Sequence, residues 1–400
     1  MSDSRSTAAT SISAAVDALE EELVELRRDV HAHPELAWEE ERTTGLVAKR
    51  LEEAGLRVQQ LGRSGLVADT GPQDAASTVA LRADLDALPV DDRVADPWVS
   101  TVPGLAHACG HDVHVAALVG SGLALQALHE RGALPGRVRL LFQPAEEVMP
   151  GGALDMIAAD VLDGVDRVFG LHCDPSLDVG RIGLRVGPLT GAADALKVRL
   201  TGRGGHTSRP HLTQDLTYAL ATLVTQLPAA VSRRFDPRAG TSVVFGMVRA
   251  GAATNVIPAS GEAAGTVRML DAVAWSEAEG LIGDLVCQIV EPYGVRAEVD
   301  YVRGVPPVVN EPGSTALLGD AVEALLGEDA IVSTAQSLGG EDFAWFVESV
   351  PGAMARLGTR TPGGPTYDLH QGDLRVDDRA VGIGAKVLAQ SAHLALLPKL

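Results

Sequence analysis

Residues 114–147, HVAALVGSGLALQALHERGALPGRVRLLFQPAEE, contain two apolar segments that are separated by the short break RGALPG. The first segment is long enough for a buried helix that begins at His114, and VRLLF near residue 138 has the length of a buried strand. VALRA near residue 79 and VDRVFG near residue 165 are similar strand candidates. Alternation of strands with helices is typical of a doubly wound sheet. We therefore predict an α/β fold with a mostly parallel sheet that is flanked by helices.

The region between residues 191 and 304 has a different pattern. It reads as strand, helix, strand, strand, helix and strand, in the segments LKVRLTG, DLTYALATLVTQL, TSVVFGMV, GEAAGTVRML, WSEAEGLIGDLVCQIV and RAEVDYV. This βαββαβ order is that of a ferredoxin-like α+β unit. Helices and a strand like those of the first half resume from about Gly313. The pattern predicts one discontinuous domain, residues 1–190 and 305–400, into which a second domain, residues 191–304, is inserted.

Composition limits the kinds of protein that this chain can be. It has 400 residues, of which 46% are hydrophobic, so it can bury more than one core. A formal net charge of −20 argues against nucleic acid or an anionic membrane as partner, because phosphate recognition needs clustered Lys and Arg. Three cysteines do not suggest a disulfide framework, and the N-terminal sequence does not read as a signal peptide. We expect a cytoplasmic protein that acts on a small molecule.

Polar side chains follow several of the predicted strands at the point where each strand ends. In an open α/β sheet, ligands bind beyond the carboxyl ends of the strands, so polar clusters at these positions carry more weight than clusters elsewhere. They are Asp84 and Asp86 after VALRA, Glu146 and Glu147 after VRLLF, His172 after VDRVFG and His370 after AMARLG. We expect these side chains to lie along one edge of the sheet.

The segment HACGHDVH, residues 107–114, contains three histidines and a cysteine. Cys109 and His111 are two residues apart, so both side chains project to the same side of an extended loop. With three of the strand-end residues they form a mixed sulfur, nitrogen and oxygen set of the kind that divalent transition metals bind. The predicted metal ligands are Cys109, His111, Glu147, His172 and His370. Acceptors for the ligating imidazoles, or further ligands, are predicted at Asp84, Asp86 and Asp112.

The adjacent residues Glu146 and Glu147 have side chains that diverge. One of them can bind metal while the other faces the substrate and transfers protons. A doubled glutamate is more often part of a solvated surface, but its place at a strand end favours a chemical role here.

Other reactive side chains have a structural interpretation. Cys173 follows a ligand candidate on a strand, so it is expected to point the other way and to be buried. Cys287 lies on the apolar face of a helix and is predicted to be a core residue, whereas His393 is predicted to lie at the surface. His31 and His33 come near a helix end, before Pro34, where capping of carbonyl groups is the simpler role.

Taken together, these motifs resemble those of the M20 metallopeptidase family, and in particular its amidohydrolase branch, which includes hippurate hydrolases, N-acyl-amino-acid amidohydrolases and auxin-conjugate hydrolases. The resemblance spans nearly the whole chain and runs, in order, through RRDVHAHPEL, RADLDALP, HACGHDVH, QPAEE, LHCDP, TGRGGHTSRPH, TNVIP, GTVRM, GGEDF and DLHQ. It implies a zinc-peptidase-like catalytic domain and an inserted lid domain through which two copies form a homodimer.

The resemblance also implies roles for individual residues. The five predicted ligands would hold two divalent cations, with Mn²⁺ or Zn²⁺ expected first and Co²⁺ or Ni²⁺ as alternatives. Glu146 would be the general acid and base. In the inserted domain, His206 of GRGGHTS would stabilise the oxyanion, in its own or the partner subunit's site, while Asn255 of TNVIP and Arg268 of GTVRM would position the substrate.

Three functional hypotheses remain at this point. The favoured one is metal-dependent hydrolysis of the amide bond of N-acyl amino acids or related small amides. A di- or aminopeptidase on the same scaffold is the second, and a non-catalytic metal-binding or ligand-binding protein is the third. A cysteine hydrolase that uses Cys109 is less favoured, because it leaves the glutamate pair unexplained.

Overall fold

The computed structural model describes residues 2–398, with side chains described from residue 7 onward. The chain divides into two compact units. Unit 1 contains the chain up to Leu189, the segment Val309–Ala335 and the chain from Asp342 onward. Unit 2 contains Thr190–Val308 and also Gln336–Glu341, whereas the sequence predicted an insertion at residues 191–304 alone.

Unit 1 is built on a large mixed sheet. The strands of unit 1 are β1 (Arg57–Gln60), β2 (Leu66–Thr70), β3 (Thr78–Asp84), β4 (Arg137–Gln143), β5 (Arg167–Asp178), β6 (Ile182–Leu184), β7 (Gly187–Pro188), β14 (Val309–Asn310), β15 (Ile331–Ser333) and β16 (Gly352–Arg360). Eight of them form one sheet in the order β1-β2-β4-β3-β5-β16-β6-β15. The central strands β4, β3, β5 and β16 are parallel, and β2 and β6 pair antiparallel with them. The predicted fold class is confirmed.

Helices cover this sheet. They are α1 (Ser2–Asp17), α2 (Glu20–Ala32), α3 (Glu41–Glu53), α4 (His111–Glu130), α5 (Ala153–Ala158), α8 (Pro312–Leu326), α9 (Phe343–Ser349) and α10 (Arg379–Leu396), with a 3₁₀ turn at Glu328–Ala330. The long apolar segment after His114 forms α4. This helix is buried on nearly all sides, because α1, α2 and α10 contact it in addition to β3.

Unit 2 has the predicted βαββαβ order. It contains β8 (Ala192–Thr201), β9 (Gly205–His206), α6 (Leu216–Val231), β10 (Ser242–Ala250), β11 (Val256–Ile257), β12 (Ser260–Met269), α7 (Ala272–Val290) and β13 (Arg296–Val305), with 3₁₀ turns at Pro210–Leu212, Pro237–Ala239 and Glu291–Tyr293. Four strands form an antiparallel sheet in the order β10-β12-β8-β13, and β9 pairs with β11. None of the helices within residues 2–398 is long and apolar enough to cross a membrane.

Two expectations about isolated side chains were wrong. Cys287 is exposed, because the buried stripe of α7 runs through Ala278, Ile282 and Val286 and the next residue is rotated away from it. His393 is buried, with 5% of its surface exposed, because the C-terminal half of α10 is enclosed nearly all round.

The first turn of α8 depends on Glu311. Its carboxylate accepts hydrogen bonds from the backbone N–H groups of Gly313 at 2.9 Å and Ser314 at 2.6 Å, and from Arg167 Nη1 at 2.7 Å. Burial opposes the charge, but the hydrogen bonds outweigh it and lower the pKa of Glu311 to about 2. Such a group contributes stability above its ordinary pKa of 4.5 and loses that contribution as the pH falls through 2.

We expect Glu311→Gln to lower the free energy of unfolding by about 1 kcal/mol at pH 7, a modest effect because the site is partly solvated. The difference from the wild type should shrink steadily below pH 4.5, where the unfolded carboxylate takes up a proton. Chemical denaturation at pH 7, 4 and 3 measures it, with the exposed Glu323→Gln on the same helix as the control. A difference that is undiminished at pH 3 contradicts the prediction.

Candidate metal centre

The carboxyl ends of β4, β3 and β5 lie side by side, because these strands are parallel neighbours in the sheet. Asp84 is the last residue of β3, and Glu146 and Glu147 follow the end of β4. His172 lies within β5, and His111 is the first residue of α4. The topology of the sheet therefore gathers these segments at one edge.

The HACGHDVH loop approaches β5 closely at Gly110. This residue has a φ of 86°, and a Cβ atom there would lie 2.9 Å from Cys173 Sγ. Glycine meets both constraints, because it has no Cβ and tolerates positive φ. The close approach leaves Cys109 Sγ 3.6 Å from His172 Nε2.

Candidate ligand atoms form overlapping groups at this edge. Within each group, the atoms lie within 4.8 Å of one another. The groups include Cys109 with His111 and His172, Cys109 with Glu147 and His370, His111 with Glu146 and Glu147, and Asp84 with His111 and His114. The structure thus brings the five predicted ligands together. Two of the groups consist of predicted ligands alone, and Cys109 belongs to both of them.

Backbone carbonyl groups fix the orientation of two of the imidazole rings. His111 Nδ1 lies 2.8 Å from the carbonyl oxygen of Asp86, and His172 Nδ1 lies 2.8 Å from that of Cys173. A carbonyl oxygen only accepts hydrogen bonds, so each Nδ1 carries a proton, and in the neutral ring each Nε2 presents a lone pair. Both rings belong to the group around Cys109, and a ring held at Nδ1 by a carbonyl group is the arrangement that metal-ligating histidines have.

Electrostatics at the cluster favour a cation. His111 Nε2 and Glu147 Oε1 are buried and form no hydrogen bond, which is costly for acceptors that are left without a donor or an ion. Burial disfavours a charge on His111, but Asp84 and Cys109 outweigh it and raise the pKa of His111 well above its ordinary value. Burial raises the pKa of the Cys109 thiol, so a thiolate nucleophile without a cation is disfavoured. The donor set fits a divalent metal.

His370 closes the cluster from a loop. Its backbone N–H donates to the carbonyl oxygen of Ala108 at 2.7 Å, and its Nε2 lies 3.4 Å from Glu147 Oε1. Its φ of 62° is unusual for a residue with a side chain, and such strain is concentrated at functional sites. The side chain of His370 is 55% exposed, so this ligand candidate borders solvent.

Asp84 lies beside the cluster, with its Oδ2 3.6 Å from His111 Nε2, and it shares a candidate ligand group with His111 and His114. Its carboxylate pairs with Arg82 Nη1 at 2.6 Å and lies 2.6 Å from His114 Nδ1. His114 Nε2 accepts the backbone N–H of Cys173 at 2.9 Å, so both nitrogens of His114 are occupied. Arg82 is 1% exposed and also pairs with Asp342 at 2.8 Å. The sequence reasoning missed Arg82, although it stands in the RADLDALP motif.

Asp86 is an acceptor for His111 Nδ1 through its backbone carbonyl oxygen, and its Oδ1 lies 3.5 Å from the same nitrogen, whereas Asp112 has partners other than the predicted imidazoles. The Asp86 carboxylate accepts the backbone N–H groups of the glutamate pair, at 3.0 and 2.9 Å. Asp112 pairs with Arg27 Nε at 2.6 Å and lies 2.9 Å from His31 Nδ1. The expectation that a carbonyl group is capped was wrong for His31, whose pKa is lowered by burial but raised to about 9 by Asp112 and Asp92, which outweigh burial. For His33 it agrees with the structure, in which His33 Nδ1 lies 2.8 Å from the carbonyl oxygen of Asp29.

Two of the three candidates in unit 2 lie in strands of different sheets, and the third, Asn255, lies in the turn before β11. His206, in β9, is exposed, and its Nδ1 accepts the backbone N–H of Ser208 at 3.1 Å, so the proton of the neutral ring is on Nε2. Asn255 lies beside it, since its carbonyl oxygen accepts the N–H of Thr207 at 3.2 Å. Arg268, in β12, donates to the carbonyl oxygen of Leu338 at 2.6 Å.

Comparison with known proteins agrees with this geometry. The model of the family described as Peptidase family M20/M25/M40 matches residues 80–393. The chain belongs to this family. As an M20 family member with relatives that are named as amidohydrolases and deacetylases, it is a metal-binding hydrolase of the amidohydrolase type.

Several M20 relatives can be aligned along most of this chain. An N-acetyl-L-cysteine deacetylase of Bacillus subtilis is 35% identical over 94% of the chain and 89% of the relative. A Rhodococcus jostii protein named as a glutamate–cysteine ligase is 50% identical over 94% of the chain, which spans only 47% of that protein. The crystal structure of the Bacillus subtilis YXEP protein, described as a dinuclear metal-binding peptidase of the M20 family, has a TM-score of 0.83 at 31% identity and covers 95% of this chain and 99% of its own.

Proposed function

We propose that this protein hydrolyses the amide bond between an acyl group and the nitrogen of an amino acid. The observation that carries the proposal is the convergence of five candidate ligand side chains at the carboxyl ends of the parallel strands, with a further carboxylate, that of Glu146, beside them. The similarity to an N-acetyl-L-cysteine deacetylase supports an acylated amino acid as the substrate class.

Two divalent cations would be held by Cys109, His111, Glu147, His172 and His370. Zn²⁺ and Mn²⁺ are our first candidates, because the donors combine one thiolate with imidazoles and a carboxylate. When bound, the cations would polarise the amide carbonyl group and lower the pKa of water at the site.

Glu146 would be the general base and acid. Its Oε2 lies 3.9 Å from His111 Nε2, and its backbone N–H is held by Asp86, so the carboxylate stays beside the cluster. It would take a proton from the attacking water and deliver that proton to the leaving amine nitrogen.

His206 would stabilise the oxyanion. Because the N–H of Ser208 occupies Nδ1, the neutral ring has its donor at Nε2, which is what a developing negative charge requires. Asn255 and Arg268 would position the substrate, with the Arg268 guanidinium a candidate partner for its carboxylate. His206 acts either in its own site or in that of a partner subunit. Mixing two inactive variants, one at His206 and one at Glu146, decides between these cases, because activity returns only if one subunit supplies His206 to the site of the other.

We propose a cytoplasmic homodimer that forms through unit 2. β10 is an edge strand of the four-stranded sheet, and Val244 and Val248 on it are 60% and 53% exposed. An exposed apolar edge strand is a site at which another chain can pair. Sedimentation equilibrium of the wild type and of Val244→Lys tests this, with a dimer expected for the first and a weakened dimer for the second.

The substrate class is tested with protein reconstituted with Zn²⁺ or Mn²⁺. A panel of N-acyl amino acids is compared with dipeptides that have a free N-terminal amine and the same C-terminal residue. We expect kcat/KM to be at least about a hundredfold higher for the acylated substrates, which corresponds to about 2.7 kcal/mol of transition-state binding. A preference for the free amine would instead favour a di- or aminopeptidase, and no turnover with any metal would favour a binding protein.

A further inference from the structure

The residue that precedes the glutamate pair has an unusual backbone. Ala145 has a φ of 55°, in the left-handed region, and it is fully buried. Residues with a Cβ rarely adopt this conformation, so the surroundings must hold it in place. The backbone conformation of Ala145 sets the direction of the chain as it enters the glutamate pair, and so affects where the side chains of Glu146 and Glu147 point.

Three consecutive backbone N–H groups of the loop donate to two buried carboxylates. The N–H of Ala145 donates to Glu40 Oε1 at 2.7 Å, and those of Glu146 and Glu147 donate to Asp86 at 3.0 and 2.9 Å. Glu40 is 0% exposed. With each donor fixed, the peptide planes between residues 144 and 147 cannot rotate without breaking a buried hydrogen bond.

Glu40 is itself held on a regular element. It is the residue before α3, and its carbonyl oxygen accepts the N–H of Thr44 in the first turn of that helix at 3.0 Å. The other side of Ala145 is also fixed, because its carbonyl oxygen accepts the N–H of Gly152 at 3.0 Å. The acceptor for Ala145 therefore comes from the start of a helix that lies far from the loop in the sequence.

We propose that Glu40 is a positioning residue, which holds the N–H of Ala145 and so fixes the directions of the Glu146 and Glu147 side chains. The catalytic importance of these side-chain directions rests on the proposed function, in which Glu147 binds a cation and Glu146 transfers a proton. Glu40 is not assigned a catalytic role, since it contacts the backbone of the loop.

Two substitutions of similar size distinguish the effect of losing the hydrogen-bond acceptor from the effect of changing the volume of the side chain. Glu40→Gln keeps an oxygen that can accept the N–H of Ala145, whereas Glu40→Leu removes it. We expect Glu40→Leu to lower kcat by about 10- to 100-fold with a less than about threefold change in KM, because a misdirected proton acceptor affects the transition state more than substrate binding. We expect Glu40→Gln to remain within about threefold of the wild type.

Cation affinity gives a readout that does not depend on turnover. Because the same loop carries Glu147, Glu40→Leu should weaken the binding of Zn²⁺ by about tenfold or more in a competition with a chromogenic chelator, and Glu40→Gln should not. The control is Glu39→Leu, at the neighbouring exposed position, which should change neither quantity. If Glu40→Leu does not fold, Glu40→Asp replaces it, since its shorter side chain withdraws the acceptor and should give the same losses.

A second substitution tests the backbone argument. Glycine adopts positive φ without strain, so Ala145→Gly in the Glu40→Leu background should recover about fivefold in kcat. Wild-type kcat and Zn²⁺ affinity in a folded Glu40→Leu protein would overturn the proposal, and so would equal losses in the Leu and Gln variants. If the wild type cleaves no N-acyl amino acid, the proposed function fails, while the Zn²⁺ comparison still decides the role of Glu40.

Discussion

Glu146→Gln is expected to lose kcat by a factor of about 10² to 10⁴ and to keep both its fold and its bound metal. Glutamine has almost the same shape as glutamate but cannot take a proton from water. The backbone N–H of residue 146 would still donate to Asp86, so the loop should stay in place. Steady-state kinetics, elemental analysis of bound metal and circular dichroism measure the three quantities.

Glu147→Gln is the matched control for that experiment. The two glutamates are adjacent and both lie within 4.8 Å of a His111 nitrogen, but only Glu147 is also grouped with Cys109 and His370. Glu147→Gln should therefore lose metal as well as activity. Normal turnover in Glu146→Gln, or loss of metal from it to the same extent as from Glu147→Gln, would show that the two roles are assigned wrongly.

Arg82→Met is expected to lower the free energy of unfolding by about 3–5 kcal/mol, the largest stability effect that we predict. The guanidinium is 1% exposed and pairs with Asp84 at 2.6 Å and with Asp342 at 2.8 Å. Its Nε also donates to Gln143 at 2.8 Å. Its removal leaves two buried carboxylates without their cation, and the packing of a methionine of similar length does not replace that charge.

Chemical denaturation followed by fluorescence and circular dichroism measures this effect. The control is Arg63→Met, because Arg63 is 74% exposed and its ion pair with Glu41 at 2.6 Å is solvated, so its loss should cost at most about 0.5 kcal/mol. Similar values for the two variants would mean that the buried network contributes no more than a surface pair.

The sequence predicts the sheet and the place at which the candidate ligands gather well, because both depend on local patterns. Apolar runs identify the strands, and the polar residues directly after them, such as Asp84 and Glu147, must lie at the carboxyl ends of parallel neighbours. The βαββαβ order of unit 2 is visible for the same reason, since each element has its own periodicity.

Contacts between a side chain and a distant backbone group could not be predicted in this way. The bond from the N–H of Ala145 to Glu40 joins positions far apart in the sequence, and a backbone N–H has no residue type that would indicate its partner. Arg82 lies in a predicted strand, but arginine is almost never fully buried unless it is paired, so the sequence offers no reason to place its side chain in the interior. Cys287 was misplaced because one residue along a helix turns the side chain by about 100°.

The central claim is that Cys109 and the imidazoles near it bind a pair of cations, and titration of the metal-free protein with Co²⁺ tests it most directly. We predict two Co²⁺ ions per chain and a thiolate-to-cobalt charge-transfer band in the near ultraviolet, which Cys109→Ser abolishes while the exposed Cys287→Ser leaves it unchanged. The account would be contradicted by binding of fewer than two Co²⁺ per chain, or by a charge-transfer band that survives Cys109→Ser.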